Sequence, residues 1–120
     1  MKLIYVASPY DGDVEANLEY AEDACRFVVN SGHAFFAPHL LYPWILGERL
    51  YVERQLGIDL ALAVLPKCDE IWAFGVVITE GMRRSLDEAT RLGIPVKHFV
   101  VFQQKGKWPD LIQPSMKKEI

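Results

Sequence analysis

The sequence predicts an α/β layer sandwich around a four-stranded parallel sheet, with the strands in spatial order 2-1-3-4. Three observations predict it. Short apolar runs alternate with amphipathic stretches over most of the 120 residues, which is the pattern of strand–helix–strand crossovers. Such crossovers are right-handed and return each strand to the same sheet. The third observation is the segment CDEIWAFGVVITEGMRRSLDEATRLGIPV, residues 68–96, which carries a strand, a loop and a helix with their own start and stop signals and leads into another strand.

The elements follow in order. Leu3–Ala7 holds Ile, Tyr and Val in a run suited to a buried parallel strand, and Ser8-Pro9-Tyr10 breaks it. Asp11-Gly12-Asp13 is turn chemistry, with Asp13 placed to cap the next helix. On that helix Val14, Leu18, Ala21, Cys25 and Val28 form one apolar stripe, opposite Glu15, Glu19, Glu22, Asp23 and Arg26. Ser31-Gly32 ends it, and Ala34–Ala37 gives the second strand, closed by Pro38.

The stretch HLLYPWIL, residues 39–46, is interrupted by Pro43 and reads as a loop or a broken helix. Its large apolar side chains invite burial against a ligand or another subunit. A helix from about Glu48 to Leu65 comes next. Its second half is apolar nearly all round except for Asp59, which predicts burial on every face and a reason for the carboxylate. Glu70–Phe74 is the third strand and Gly75 stops it. Thr79 then caps a helix with Glu80 in its first turn, and Gly93 and Pro95 end it. Val96–Phe102 is the fourth strand. The domain spans residues 1–104, and residues 105–120 read as a solvated tail with one helical turn around Asp110–Gln113.

Composition bounds the function. With 51% apolar and 24% charged residues the chain is globular rather than disordered, and its length suits one domain. A net charge of −3 offers polyanions no general attraction, so no nucleic-acid partner is expected. Cys25 and Cys68 read as buried free thiols. No apolar run is long enough to span a membrane, and the first strand is too short an apolar run for a signal peptide. A cytoplasmic location follows. His33, His39 and His98 form no pair at metal-ligand spacing, and there is neither a GxGxxG nor a P-loop. No metal and no cofactor are expected.

In an open α/β sheet, ligands collect beyond the carboxyl ends of the strands. Three loops should meet there, at residues 8–12, 38–42 and 75–82. They bring the hydroxyls of Ser8, Tyr10, Tyr42 and Thr79, the carboxylates of Asp11, Asp13 and Glu80, and the imidazole of His39. Two helix N-termini add free backbone N–H groups suited to a phosphate or carboxylate.

YVASPY, FAPHLLYP, CDEIWAFG and TEGM…EATRLGIPV, in that order across residues 3–100, resemble the nucleoside 2-deoxyribosyltransferase-like superfamily, in particular its small phage and bacterial branch. The resemblance implies a Rossmann-like three-layer sandwich that binds a nucleoside or nucleotide, and an activity that breaks and remakes the N-glycosidic bond. It also implies a homo-oligomer, a dimer or larger, with one subunit completing its neighbour's site. In the family a glutamate on the helix after the third strand attacks the anomeric carbon, while an aspartate and hydroxyls position the sugar. That is the logic of retaining glycosyl transfer. Ser8 and Tyr10 match the ligand-contacting first loop, Asp59 the sugar-positioning aspartate, and Gly81 and Met82 the entry to the catalytic helix.

Counting back from Ala89 and Gly93, the family's glutamate falls on Ser85. A serine hydroxyl is a poor nucleophile without an adjacent base. Glu88 lies about 60° from Ser85 around the helix, whereas Asp87 lies roughly 200° away. The catalytic candidates are therefore Glu80, Ser85 and Glu88, and the binding candidates are Ser8, Tyr10, Asp11, His39, Asp59, Gly81 and Met82. Plainer readings stand beside these. Glu80 suits the helix dipole, Glu88 has Arg84 and Arg91 at ion-pair spacing, and His39 reads equally as a half-buried loop residue. The function is then either action at an N-glycosidic bond or non-catalytic binding of a nucleotide derivative.

Overall fold

The computed structural model describes residues 1–46, 51–101 and 117–119. Their order is β1 (Leu3–Ala7), α1 (Val14–Asn30), β2 (Ala34–Phe36), α2 (Pro38–Leu46), α3 (Tyr51–Val64), a single 3-10 turn (Leu65–Lys67), β3 (Glu70–Phe74), α4 (Glu80–Leu92), β4 (Val96–Val101) and β5 (Lys117–Glu119). The parallel strands stand in the order β2-β1-β3-β4, as the crossover pattern predicts. Tyr5 pairs with Phe36 on one side and Ile71 on the other, and Phe74 pairs with Phe99.

Strand alternation divides the core in two. Ile4, Val6, Trp72, Phe74, Phe99 and Val101 face α1, where Ala24, Cys25, Phe27 and Val28 complete one cluster. Tyr5, Ala7, Ile71 and Ala73 face the other way, onto Ala61 of α3 and Met82, Leu86 and Ala89 of α4. Helices thus cover both faces of the sheet, the three-layer arrangement expected. The caps read from the sequence are in place. Asp13 Oδ1 accepts from Ala16 N at 3.2 Å, Thr79 Oγ1 accepts from Met82 N at 3.2 Å, and Gly93 closes α4 at φ 74°.

Four expectations change. Residues 38–46 form one helix with Pro43 inside it. Pro38 opens that helix at a position where its missing N–H costs nothing, and α2 crosses the sheet's carboxyl edge with Leu40 on one core and Tyr42 on the other. The buried α3 was the second. Among the described side chains only Ala61, followed by Leu65 one turn later, is buried there, while Ile58, Asp59 and Leu60 are exposed. α3 meets the sheet on one face and α2 on another, and Asp59 lies on the side left to solvent, so it needs no buried partner. Thirdly, the tail contributes β5, antiparallel to β4 with Phe99 opposite Glu119 and Val101 opposite Lys117. A three-residue charged strand carries no apolar alternation to betray it, and charge on an edge strand is the usual guard against further pairing. Finally, β2 ends at Phe36 rather than Ala37. The start of the helix expected from Glu48, Phe102 and the turn around 110–113 lie outside the described residues.

Candidate functional site

The carboxyl edge of the sheet opens into a cleft of about 670 Å³. Its floor is β1, through Tyr5, Val6, Ala7 and Ser8, and its walls come from the β1–α1 loop, α2, α3 and the N-terminal half of α4. This size suits a small organic ligand.

The β1–α1 loop is pinned from below. Asn17 of α1 donates from Nδ2 to the carbonyls of Tyr10 at 2.9 Å and Asp11 at 3.0 Å. Gly75 sits at φ 124°, a backbone conformation that favours glycine, in the adjacent loop; its carbonyl contacts His98 Nε2 at 2.5 Å. The first loop delivers Ser8, which is buried, together with Tyr10 and Asp11. Asp11 meets Arg54 of α3, whose Nη2 lies 3.0 and 3.2 Å from the two carboxylate oxygens. Both partners are exposed.

His39, at the start of α2, packs its ring against Tyr10 with centroids 5.0 Å apart and planes 30° apart. Burial pulls its imidazole below the ordinary histidine value. A hydrogen bond with the Ser8 backbone and the charge of Asp11 oppose that shift without cancelling it.

From α4 come Glu80, Gly81, Met82 and Ser85, all four predicted, and with them Arg83, Arg84 and Asp87. Ser85 Oγ lies 3.3 Å from the Tyr5 hydroxyl. Burial pushes the Tyr5 phenol up to about 12, with the Ser85 hydrogen bond working against it. The pair is therefore neutral at physiological pH. It can donate and accept hydrogen bonds, but it supplies neither a base nor a charged nucleophile. The carboxylates that do line the cleft are Asp11, Glu53, Glu80 and Asp87.

The cleft thus gathers Ser8, Tyr10, Asp11, His39, Glu80, Gly81, Met82 and Ser85 from the predicted set. It does not gather Glu88 or Asp59. Glu88 lies outside the lining and pairs with Arg91, one helical turn on. Asp59 is exposed on the solvent side of α3 and also lies outside the lining. Asp87, set aside on helical angle, does reach the cleft because the cleft wraps around much of the exposed first half of α4.

Tyr5, Glu53, Arg54, Arg83 and Arg84 were not picked out. Tyr5 had a usable signal, since strand alternation puts it and Ala7 on one face. Nothing in the sequence says that α3 would swing Glu53 and Arg54 over the sheet edge. Among the described residues no three potential ligands gather to hold a metal, and no helix is long and apolar enough to cross a membrane.

Comparison with known proteins follows the same lines. A solved structure from work on the 2-deoxyribosyltransferase of the psychrotolerant bacterium Bacillus psychrosaccharolyticus superposes with a TM-score of 0.66 at 21% identity, covering 92% of this chain and 78% of that one. At that identity the likeness establishes the fold. No curated protein matches the chain. The family model described as "Domain of unknown function (DUF7768)" matches residues 2–99, the whole of the parallel sheet but its last two residues together with the cleft. The chain belongs to the DUF7768 family.

Proposed function

We propose that this protein binds a nucleoside or nucleotide in the cleft and acts at its N-glycosidic bond, with Glu80 as the carboxylate beside the anomeric carbon. The observation that carries this reading is the convergence of Ser8, Tyr10 and His39 with Glu80 and Ser85 in one cleft. One loop and the N-terminal turns of two helices there supply an aromatic surface, hydroxyls and a carboxylate, which are the group types such a ligand needs. The fold shared with a 2-deoxyribosyltransferase supports the same reading. In a retaining reaction the carboxylate bonds to the anomeric carbon as the base departs with a proton from a second acidic group or a bound water, and water or a second nucleobase then displaces the carboxylate.

A second reading has its own observation. Ser85 stands where the deoxyribosyltransferase-like resemblance expects a nucleophilic glutamate, and it is paired with a neutral Tyr5, which suits a module that holds a nucleotide derivative without cleaving it. Incubation with a panel of ribo- and deoxyribonucleosides and their 5′-monophosphates, followed by chromatography of released base, separates the two. Base release that is lost in Glu80→Gln supports catalysis. Thermal stabilisation by ligand without release supports the binding module, and neither effect with any compound removes both readings.

The protein acts in the cytoplasm as a homo-oligomer in this proposal. Exposed Trp44 and Ile45 on α2, beside the cleft wall, support the association, and two free thiols support a reducing compartment.

A further inference from the structure

We propose that His98 is a positioning residue for the cleft: by holding the Gly75 carbonyl it fixes the turn that carries Glu80 to the reacting carbon. This rests on the reading of Glu80 given above and adds to it the residue that sets where Glu80 stands.

β3 ends at Phe74, and Gly75 turns the chain out of the sheet at φ 124°. The neighbouring strand binds the chain on both sides of that glycine. Gly75 N donates to the Phe99 carbonyl at 3.0 Å, and the Gly75 carbonyl lies 2.5 Å from His98 Nε2. A carbonyl oxygen only accepts, so Nε2 carries the hydrogen and donates it. The first bond orients the peptide before Gly75 and the second orients the peptide after it. Together they fix both dihedral angles of the residue type that has the widest choice of them.

The next stretch is held by little packing. Val76 and Val77 are 77% and 68% exposed, and the chain rejoins the core at Ile78. Thr79 then caps α4, and Glu80 is the first residue of that helix. Without the side-chain bond the peptide after Gly75 can turn about ψ, and such a turn moves the start of α4. The same glycine also abuts the other wall of the cleft. A Cβ on Gly75 would lie 3.6 Å from Pro9 Cγ, and Pro9 stands between Ser8 and Tyr10, both of which line the cleft. The His98 bond thus locks the β3–α4 turn where it meets the β1–α1 loop.

His98 itself lies outside the cleft lining. It is half-buried on β4, opposite Ala73 and so on the sheet face that α4 covers. Its effect on a bound molecule therefore passes through Gly75 and involves no contact of its own.

The test compares three variants of the full chain with the wild type. His98→Gln keeps an amide N–H at the reach of Nε2, His98→Asn is one methylene shorter, and His98→Phe keeps a ring without a donor. The N–H groups of Gly75, Met82 and Arg83 bond at the turn and at the helix cap. Their hydrogen exchange is expected to quicken about fivefold to tenfold in His98→Asn and His98→Phe, the worth of one net hydrogen bond. His98→Gln should keep the wild-type rates, and the Leu86 and Ala89 amides should not change in any variant. Base release from the nucleosides and 5′-monophosphates that the wild type cleaves is expected to fall about 10- to 100-fold in kcat for His98→Asn and His98→Phe, with KM within about twofold, because a misplaced carboxylate loses rate rather than binding. His98→Gln should retain most of the activity. Equal exchange in all four proteins, or a fall in kcat that His98→Gln shares, overturns the role of His98 and leaves the reading of Glu80 standing. If His98→Phe does not fold, His98→Gln and His98→Asn still decide. A wild type that releases no base from any compound overturns the reading of Glu80 and this inference with it.

Discussion

At the scale of single residues, two side chains carry the sharpest expectations. Glu70, buried at the amino end of β3, accepts from Lys2 Nζ at 2.5 Å and Trp72 Nε1 at 2.8 Å, with Lys97 Nζ at 3.6 Å. The Lys2 bond first, then the Trp72 indole, hold its carboxyl down at about 2 against the opposing cost of burial. A carboxyl lowered on folding stabilises the protein fully above its unfolded value near 4.5, and that contribution disappears as pH falls towards 2. Glu70→Gln is expected to cost about 1.5–3 kcal/mol at neutral pH, the range for hydrogen bonds to a charged group. The gap between wild type and variant should narrow as pH drops through that window, as read by urea unfolding at pH 7 and pH 3. A constant gap would mean the network is not charge-assisted. Ser85 is the other. Ser85→Glu restores a carboxylate beside Tyr5 and is expected to raise base release above wild type; a folded but inert variant would place the reacting carbon elsewhere. The sequence could identify Ser85 by register; for its partner Tyr5 strand alternation gives the face of the sheet, but nothing marks that tyrosine off from its core neighbours.

At the scale of elements, the helix caps are signals that the sequence carries locally. The Asp13 and Thr79 caps and the Gly93 stop depend on residues within one helical turn, and each is where its neighbours put it. Asp13→Ala is expected to destabilise by about 1 kcal/mol, measured as a lowered midpoint in chemical unfolding. What depended on packing was misread. The apolar second half of α3 signalled burial on every face, yet Leu60 is 36% exposed while Ala61 is 5% exposed. Hydrophobicity records what a surface tolerates, not which neighbour arrives. Gly57 illustrates the same point. A Cβ there would lie 3.5 Å from the Tyr42 Cβ, in ordinary contact between α2 and α3. Gly57→Ala should therefore gain the helical preference of alanine, about 0.5–1 kcal/mol, and raise the thermal midpoint. A lowered midpoint would mean that the two helices need the closer approach.

For the whole molecule, the layered fold was legible and the cleft only in part. Periodicity dictates strands and helices, and right-handed crossovers then leave few strand orders. The cleft depends on where α2 and α3 settle over the sheet edge, a tertiary fact with no local signature. Those two helices also carry exposed apolar side chains. Trp44 is 88% exposed, so Trp44→Glu should leave the stability of the subunit within about 0.5 kcal/mol. If the protein associates as proposed, sedimentation of that variant shifts towards the monomer; unchanged sedimentation would exclude Trp44 from the contact. One feature remains whose effect is on time rather than energy. The Asp11–Arg54 pair runs from the β1–α1 loop to α3 across the cleft, and because both partners are exposed it adds little to stability. If the cleft holds a ligand as proposed, added salt, which loosens this pair, is expected to quicken entry and exit of the ligand together.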